Sequence, residues 1–255
     1  MDESTHDRAP DTPRRSRLTL LLWGLCLATI LGGVALFVVS VRREGEKARK
    51  SMCKGTFAAV NSALHDYHDH HFELPAAWTV DASGTRLHSW RLMLSPYLDS
   101  QRVLTAADLS QPWDAPVNRP LLESRPPSWG CPSHPNYQSG FSHKAAVTGA
   151  GTVFDGKDLL KLKDISDGPG NTVWFGEVTS PLPWTKPEDV DALAHPTIGD
   201  PAGFSSVHRG VHFAFCDGHT RTISPKIDPE IMKRLFLRSD GAAVTEEDLD
   251  LPLDD

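Results

Sequence analysis

The pattern of apolar and polar positions divides the chain into parts with different predicted structures. The first apolar part, residues 18–41 (LTLLLWGLCLATILGGVALFVVSV), has 24 positions without a charge. A helix needs about 20 apolar residues to cross a bilayer, whereas the apolar core of a cleavable signal peptide has about 7–15 and ends at small residues. Because RREGEKARK follows directly, we expect a retained transmembrane helix with the lipid bilayer as its partner.

The next part has the period of an amphipathic helix. Apolar positions recur four, three, four and three residues apart, which places them on one helix face. The next proline is at position 75. We therefore predict one helix of about 50 residues, transmembrane in its first half and packed on a soluble domain in its second. The apolar positions are Cys53, Phe57, Val60, Leu64 and Tyr67.

Beyond position 75, short apolar runs alternate with turn residues. Residues 173–178 and 211–216 are rich in β-branched and aromatic residues, which predicts strands. Asp217 and Gly218 predict a tight hairpin turn followed by a returning strand. The expected fold class is α+β, with the long helix packed on an antiparallel sheet that has long loops. We expect a polar disordered tail at 1–17, helix at 42–72, sheet and loops at 75–245, and a solvated, disordered acidic tail at 246–255.

The charge of the chain limits the classes of binding partner but does not decide which side of the membrane the C-terminal part lies on. The formal net charge is −7, and no basic stripe lies outside the flanks of the apolar segment; we therefore expect no nucleic-acid partner. Six basic residues follow that segment within 13 positions and four precede it, which slightly favours a cytoplasmic C-terminal side. Long domains cross membranes largely regardless of such charges, so the charge count leaves orientation open.

The stretch LHDYHDHH (residues 64–71) suggests a metal site. At about 100° per residue its six candidate ligands spread around the helix axis, so no four can bind one ion. A partial site of His65, His68 and Asp69 is the alternative, because residues three and four apart meet on a helix. His68 and His71 fall near the apolar face. We expect packed and solvated side chains here and no metal.

A second stretch, residues 203–219, contains the ingredients of a hydrolytic triad. Ser205 or Ser206 could combine with His208 and Asp217, but no Gly-x-Ser-x-Gly elbow is present. We favour a hairpin in which the polar side chains bond to loop backbone. The sequence contains no phosphate loop, dinucleotide fingerprint, zinc-protease motif or kinase motif. We therefore expect no enzymatic activity and no cofactor.

The cysteines indicate a disulfide if the compartment is oxidising. Cys26 lies in the apolar segment, and three cysteines follow it with spacings that match no zinc pattern. Three permit one disulfide with one left over. A bridge from Cys53 on the helix to Cys131 in a loop is sensible, and Cys216 is an alternative partner.

Seven stretches, taken in order, form a longer pattern. Residues 52–75 (MCKGTFAAVNSALHDYHDHHFELP) combine Cys-Lys with a histidine-rich helix end, and residues 165–178 (ISDGPGNTVWFGEV) combine Asp-Gly, Asn-Thr and Gly-Glu. The remaining stretches are residues 89–99, 131–133, 183–190, the histidine–Asp-Gly hairpin, and 235–244. This order resembles a prepilin-like family of planctomycete-type bacteria, a domain of unknown function with a closing H-x9-DG motif. The matching motif residues are His65, Tyr67, His68 and Asp69 at the helix end; Asp167, Gly168, Asn171, Thr172, Gly176 and Glu177 in the turn and strand; and His208, Gly210, Asp217 and Gly218 in the hairpin.

The chain departs from this family pattern at three points. Arg17 stands where the family has the glycine of the cleavage site, and Leu22 stands where it has a glutamate used in filament assembly. Eight residues instead of nine separate His208 from Asp217. We therefore do not expect processing by a prepilin peptidase.

The resemblance implies a pseudopilin-like fold with the N-terminus in the cytoplasm and the C-terminal domain outside it, and this overrides the charge count. It also favours the Cys53–Cys131 pairing. The implied role is structural, adhesive or in envelope or secretion assembly, with other pilin-like or envelope proteins as partners. The alternative is an extracytoplasmic sensor module that binds a ligand or metal.

Overall fold

The structure is a computed structural model that describes residues 14–98, 101–135, 137, 140–156 and 159–253. The chain divides into two units, Met1–Ala48 and Arg49–Asp255. The α-helices are α1 (Arg14–His71), α2 (Trp90–Met93), α3 (Gln101–Ala106), α4 (Pro229–Phe236) and α5 (Glu246–Leu249). The strands are β1 (Trp78–Val80), β2 (Arg86–Ser89), β3 (Phe141–Thr148), β4 (Val173–Pro183), β5 (Val190–Asp191), β6 (Val211–Phe215) and β7 (Thr220–Ile223).

In the first unit, α1 presents large apolar side chains to solvent, from Leu20 to Val41. Within the described residues it is the one helix long and apolar enough to cross a membrane. The predicted long helix is thus confirmed, but it begins at Arg14, so the prediction that residues 14–17 belong to a disordered tail is wrong. No Gly or Pro lies between Pro13 and the apolar segment, so nothing stops the helix from extending to this point. Residues 1–13 of the predicted tail lie outside the described residues.

In the second unit, five strands form one sheet in the order β5–β3–β4–β6–β7. Three of the pairings, β3–β4, β4–β6 and β6–β7, are antiparallel, and the short β5 pairs with β3 in parallel. The strands predicted at 173–178 and 211–216 and the returning strand after Asp217–Gly218 are confirmed. The long helix together with this sheet confirms the α+β class. A separate antiparallel pair, β1–β2, precedes the sheet.

The sheet is buried on both faces, because its strands alternate between two apolar cores. In β6, Val211, Phe213 and Phe215 belong to the core on one face, whereas Ala214 belongs to the core on the other. The Ala214 face is covered by the second-unit part of α1, where Phe57 stacks on Phe175 with 5.3 Å between ring centroids. We call this the helix face. The opposite face is covered by apolar residues of α4, namely Met232, Leu235 and Phe236.

The acidic C-terminal segment also contributes to the second core. We predicted 246–255 as a disordered tail, but residues 246–249 form α5, and Leu249 and Leu251 pack against the core on the α4 side. Thr245 and Asp248 form a reciprocal capping box, and acidic residues in a first helical turn are favourable there. Apolar burial and capping therefore outweigh the high charge of this segment. Asp254 and Asp255 lie outside the described residues.

Candidate functional site

The two halves of the histidine–Asp-Gly motif lie at opposite ends of β6. At one end, the backbone N–H of His208 donates to Ser206 Oγ at 2.9 Å. At the other end, Asp217 Oδ1 accepts from the backbone N–H of His219 at 3.0 Å and lies 2.6 Å from His219 Nδ1. Ser206, His208 and Asp217 therefore do not converge, and the geometry is that of the predicted hairpin with local bonds rather than a triad.

The Asp-Gly turn attaches the hairpin to α1. Gly218 has φ +99°, which suits glycine, and its carbonyl accepts a hydrogen bond from Asn61 Nδ2 at 2.6 Å. The same amide donates to the carbonyl of His219 at 3.1 Å. Next to it, the His65 ring packs edge-on against Trp174 with 5.0 Å between centroids. Burial lowers the pKa of His65. These motif residues hold the helix to the sheet.

The turn motif joins two loops of the second unit. The carboxylate of Asp167 accepts from the backbone N–H groups of Asp240 at 2.7 Å and Gly241 at 3.0 Å. Inside the turn, Asn171 Nδ2 donates to the carbonyl of Asp167, and Thr172 Oγ1 donates to that of Gly168, both at 3.2 Å. The turn residues of the motif therefore fix loop geometry, and the side chains of Asp167, Asn171 and Thr172 bond to backbone partners.

Close packing explains why a glycine is needed at position 176. A Cβ at this position would lie 2.6 Å from the Phe213 ring and 2.7 Å from the Phe204 ring. Any side chain would overpack the core on the α4 side. Gly210 has φ +85°, and a Cβ there would lie 2.9 Å from the carbonyl oxygen of Ile223. Both motif glycines are thus required by close approach.

The helix end does not form the partial metal site. His68 Nδ1 lies 3.5 Å from Asp69 Oδ1, but the His65 ring is packed on the sheet. The side chain of His71 is exposed. It lies on the Tyr67 ring with 4.2 Å between centroids, because α1 ends at His71 and the chain turns away.

The structure joins Cys53 to Cys131 in a disulfide, the pair that the resemblance implies. Their Cα atoms are 5.1 Å apart, and both side chains are buried. His208 Nε2 lies 3.6 Å from Cys131 Sγ, and in the described part of the chain this is the one group of three possible metal ligands within 4.8 Å. In the disulfide the two sulfurs are bonded to each other and are not free ligands. Cys216 is free and buried, and burial raises its pKa.

Beside the disulfide, the helix face holds a cluster of buried polar groups from three strands. Lys144 on β3 donates from Nζ to Thr56 Oγ1 at 2.9 Å and to the carbonyl of Ser128 at 2.7 Å. Glu177 on β4 accepts a hydrogen bond from Ser206 Oγ at 2.7 Å through Oε2. Burial lowers the pKa of Lys144 to about 7 and raises the pKa of Glu177 to about 7. Both groups can therefore change charge near neutral pH.

A pocket of about 440 Å³ opens next to this cluster. His212 on β6 forms part of its wall, and the His212 Nδ1 lies 2.7 Å from Thr222 Oγ1. Three further basic side chains, of Lys50, Lys54 and Arg209, line the pocket with His208. No Asp or Glu is among the described residues that line it. The full lining is Lys50, Ser51, Lys54, His208, Arg209, His212, Thr222 and Leu253.

In this region His208, Glu177 and the cysteines were predicted from the sequence, whereas Lys50, Lys54, Lys144 and His212 were not. Two signals were available. Lys50 and Lys54 are four residues apart, which places them on one side of a helix. Lys144 and His212 interrupt otherwise buried strands, and buried charges need specific partners.

Comparison with known proteins adds one finding. Residues 43–199 match the model of a family described as a protein of unknown function (DUF1559). The matched range includes the second half of α1, both disulfide cysteines, and strands β1 to β5. No curated protein and no solved structure matches the chain.

Proposed function

The chain belongs to the DUF1559 family of unknown function, so its role must come from its own residues, and we propose that it is a membrane-anchored, pseudopilin-like envelope protein. In this proposal α1 crosses the membrane once through residues 18–41, with the N-terminus in the cytoplasm and residues 42–245 outside it. The role is structural, adhesive or in envelope or secretion assembly, and it involves no catalysis.

The observation that carries this proposal is the disulfide between α1 and the loop at Cys131. Disulfides persist in oxidising compartments and are rare in the cytosol. Cys53 follows the predicted membrane segment by 12 positions, and Cys131 lies 78 residues further along the chain. A membrane anchor followed by a disulfide-linked domain is typical of a protein whose domain lies outside the cytoplasm.

The absence of catalysis is supported by how the candidate side chains are used. Ser206 bonds to Glu177, and Asp217 bonds to His219 at the far end of β6. A Ser-His-Asp triad needs its three side chains in a chain of hydrogen bonds, and Ser206, His208 and Asp217 are not arranged in that way.

Topology is tested with the full chain in cells. We expect a membrane-impermeant amine reagent to label lysines of residues 42–245 once the outer envelope is permeabilised. A full-length variant with the Lys47→Gln, Lys50→Gln and Lys54→Gln changes is labelled in parallel. It lacks the lysines next to the membrane segment, so its labelling reports on lysines in the rest of the domain. Protection of the whole domain in intact and permeabilised cells would contradict the proposal.

The disulfide gives an independent readout of compartment. Thiols are trapped in cells with an alkylating mass tag, and the Cys53→Ser/Cys131→Ser variant is the matched control. We expect the wild type to gain the same number of tags as that variant, because only Cys26 and Cys216 are thiols in both. Two additional tags on the wild type would show reduced Cys53 and Cys131 and argue for a cytosolic domain.

Processing is tested by the N-terminal sequence and intact mass of the membrane-extracted protein. We expect an uncleaved segment, since Arg17 replaces the glycine of the cleavage site. A mature protein that begins at Leu18 would contradict this expectation.

A second candidate function is supported by the pocket lined by Lys50, Lys54 and His212. An extracytoplasmic sensor or binding module would need a preformed ligand site, and this pocket offers one. Binding of a small anion by the purified protein would support the second function, which needs a ligand site, whereas the first function does not need one.

A further inference from the structure

A second pocket of about 440 Å³ lies at the β5 edge of the five-stranded sheet. Its wall comes from three parts of the second unit: the β1–β2 pair, the end of β3 with the chain that follows it, and β5 with the residues before it. The volume is within the range of about 300–1,000 Å³ that is typical of small-molecule sites. It shares no lining residue with the pocket at Lys50 and Lys54. We call it the β5 pocket, and its wall includes Trp78, Arg86, Gly149, Gly156 and Asp191.

The charges of the β5 pocket are only partly paired. Five charged side chains of the described residues line it, and three of them, all carboxylates, already have a cationic partner. The other two are Arg86 and Asp191, and within the described part of the chain neither is in an ion pair. Their charges are opposite, yet they do not pair with each other. The existing pairs are Asp189 with Arg91, Glu188 with Lys186, and Asp155 with Arg238.

Arg86 is placed to bind an anionic group. Its guanidinium carbon lies 3.4 Å from the centre of the Trp78 ring, and a Cβ at Gly156 would lie 3.4 Å from Cζ2 of the same ring. Gly156 has φ +96°, so its backbone can pass this close to the ring only as glycine. Stacking uses the face of the guanidinium and leaves the N–H donors in its plane for a ligand. These donors form a fork that matches a carboxylate.

Asp191 is placed to bind a cationic group. It is the last residue of β5, and its Oδ1 accepts a hydrogen bond from the backbone N–H of Ala194 at 3.1 Å. A Cβ at Gly149 would lie 3.4 Å from the same oxygen, so the missing side chain leaves room beside the carboxylate. An ionised carboxylate has about four lone-pair sites, and the bond to Ala194 uses one. Asp191 can therefore still accept hydrogen bonds from an ammonium group.

The two unpaired charges indicate a ligand that carries both signs. A purely anionic or purely cationic ligand would leave either Arg86 or Asp191 without a partner. A metal ion fits less well, because no three carboxylates of the described residues come within 4.8 Å of one another. Calcium and magnesium are bound by several oxygen ligands around one ion.

We propose that the β5 pocket binds a free α-amino acid, with its carboxylate on Arg86 and its ammonium group on Asp191. Both charged groups of such a molecule are attached to one carbon, and the rest of the pocket accommodates the side chain. Each contact is a charge-assisted hydrogen bond, the stronger kind. The inference goes beyond the proposed envelope role and does not depend on it.

Binding is tested on the full chain in a non-ionic detergent. The standard L-amino acids are added one at a time at millimolar concentration, and thermal unfolding is recorded. We expect at least one of them to raise the Tm, because a ligand that binds the folded state stabilises it. The amino acid with the largest effect is then titrated by calorimetry.

Arg86→Gln and Asp191→Asn should each weaken this binding by about tenfold or more, because each removes a charge-assisted contact. Arg102→Gln and Asp114→Asn make the same changes of charge at exposed positions outside the pocket. These two control variants should bind as the wild type does. Thermal unfolding without ligand checks that each variant is folded.

Blocked ligands assign each charged group to its residue. The amide of the chosen amino acid lacks the carboxylate, and the N-acetyl form lacks the ammonium group. The wild type should bind both more weakly than the free amino acid. Arg86→Gln should no longer distinguish the free amino acid from its amide, and Asp191→Asn should no longer distinguish it from the N-acetyl form.

Three results would overturn the proposal: no rise in Tm with any amino acid for the folded wild type, an equal loss in the control variants, or variants that weaken all three ligands by the same factor. The last result would show that Arg86 and Asp191 only support the fold. Because the protein is extracted in detergent, binding is measured independently of topology. A cytosolic domain with intact binding would overturn only the proposed location.

Discussion

Two buried pairs of opposite charge lie in the second unit, and their hydrogen bonding differs greatly. Arg91 and Asp189 form a direct ion pair, with Nη1 2.5 Å from Oδ1 and both side chains fully buried. The arginine also donates to four backbone carbonyls, and the same Asp189 oxygen accepts from Trp90 Nε1 and from the backbone N–H of Ala146. The four carbonyls are those of Lys144, Trp184, Lys186 and Glu188.

The second pair, Lys144 and Glu177, faces across β3 and β4 as Cα partners, but the side chains bond to other groups and not to each other. The ammonium group bonds to Thr56 and Ser128, and the carboxylate bonds to Ser206. Each charge is therefore buried with incomplete compensation, which is why the pKa of each group moves to about 7.

The difference indicates that the Arg91–Asp189 pair supports the fold, whereas the Lys144–Glu177 pair belongs to the candidate functional site. The Arg91–Asp189 pair, joined directly through Asp189 Oδ1, fixes the loop at 184–189 to α2, although Asp189 Oδ2 has no hydrogen-bond partner and burial raises the pKa of this carboxyl. The Lys144–Glu177 pair lies beside the disulfide and the pocket lined by Lys50 and Lys54, and both of its groups change charge near pH 7. Strongly shifted pKa values are commonly found at functional sites for this reason.

The largest expected effect is that of Arg91→Met. It leaves Asp189 buried without its cation and leaves four carbonyls without their donor, so we expect a loss of about 3–5 kcal/mol in the free energy of unfolding. Urea unfolding of the full chain in detergent, followed by tryptophan fluorescence, measures it. Arg86→Met, at an exposed arginine stacked 3.4 Å above the Trp78 ring, is the control and should cost about 1 kcal/mol. Equal losses in the two variants would show that the buried pair has no special role.

Adding Asp189→Asn to Arg91→Met sharpens this result. If the lost stability came only from the uncompensated carboxylate, the double variant would regain it. We expect little recovery, because the carbonyls still lack a donor. Full recovery to the wild-type value would contradict the importance of these backbone bonds.

For Lys144→Met we expect a smaller and pH-dependent loss. At about pH 6 Glu177 is mostly protonated, so the loss is that of two hydrogen bonds, about 2 kcal/mol. Above about pH 7 the wild type gains stability as Lys144, whose folded pKa of about 7 lies below its ordinary 10.5, loses its proton; the variant lacks this gain, so the loss is larger at about pH 8. Unfolding at both pH values measures the change, and a loss independent of pH would contradict the titration of this pair.

The Glu177→Gln variant measures how the titration of the Glu177 carboxylate contributes to stability. The folded-state pKa of Glu177 is raised to about 7 from 4.5, so its contribution to stability is full below pH 4.5 and is lost as the pH rises towards 7. We therefore expect the free energy of unfolding of the wild type, minus that of Glu177→Gln, to fall by about 2–3 kcal/mol between those values. The buried histidines are present in both proteins and largely cancel. A difference that stays flat or rises over this range would contradict the assignment.

The sequence predicted these regions unequally, and the reason is physical. The helix period and the strand alternation are local, so α1, β4 and β6 were predictable. The facing of Lys144 and Glu177 depends on strand register, and β3 and β4 pair with an irregularity between Ser142 and Lys144 that no local pattern indicates. The pocket likewise needs α1 to lie against β6, although the four-residue spacing of its lysines was visible.

The error at the C-terminus was of another kind. Its charge favoured disorder, but the Thr245–Asp248 capping signal and the apolar Leu249 and Leu251 were present in the sequence. Here the sequence contained the information, and the charge was given too much weight.

The smallest expected effect, from Ser206→Ala, tests whether the pKa of Glu177 depends on one bond. Ser206 Oγ donates to Glu177 and lowers its pKa against the effect of burial, so its removal should raise that pKa further above the ordinary value. Carbon-13 NMR of the glutamate carboxyl measures the shift, and the loss of stability should be about 1 kcal/mol. Ser205→Ala is the matched control, because that hydroxyl bonds to Thr179 instead. It should lose similar stability without moving the carboxyl titration, and a shift of equal size in both variants would mean that general loosening, not the Ser206 bond, sets the charge of Glu177.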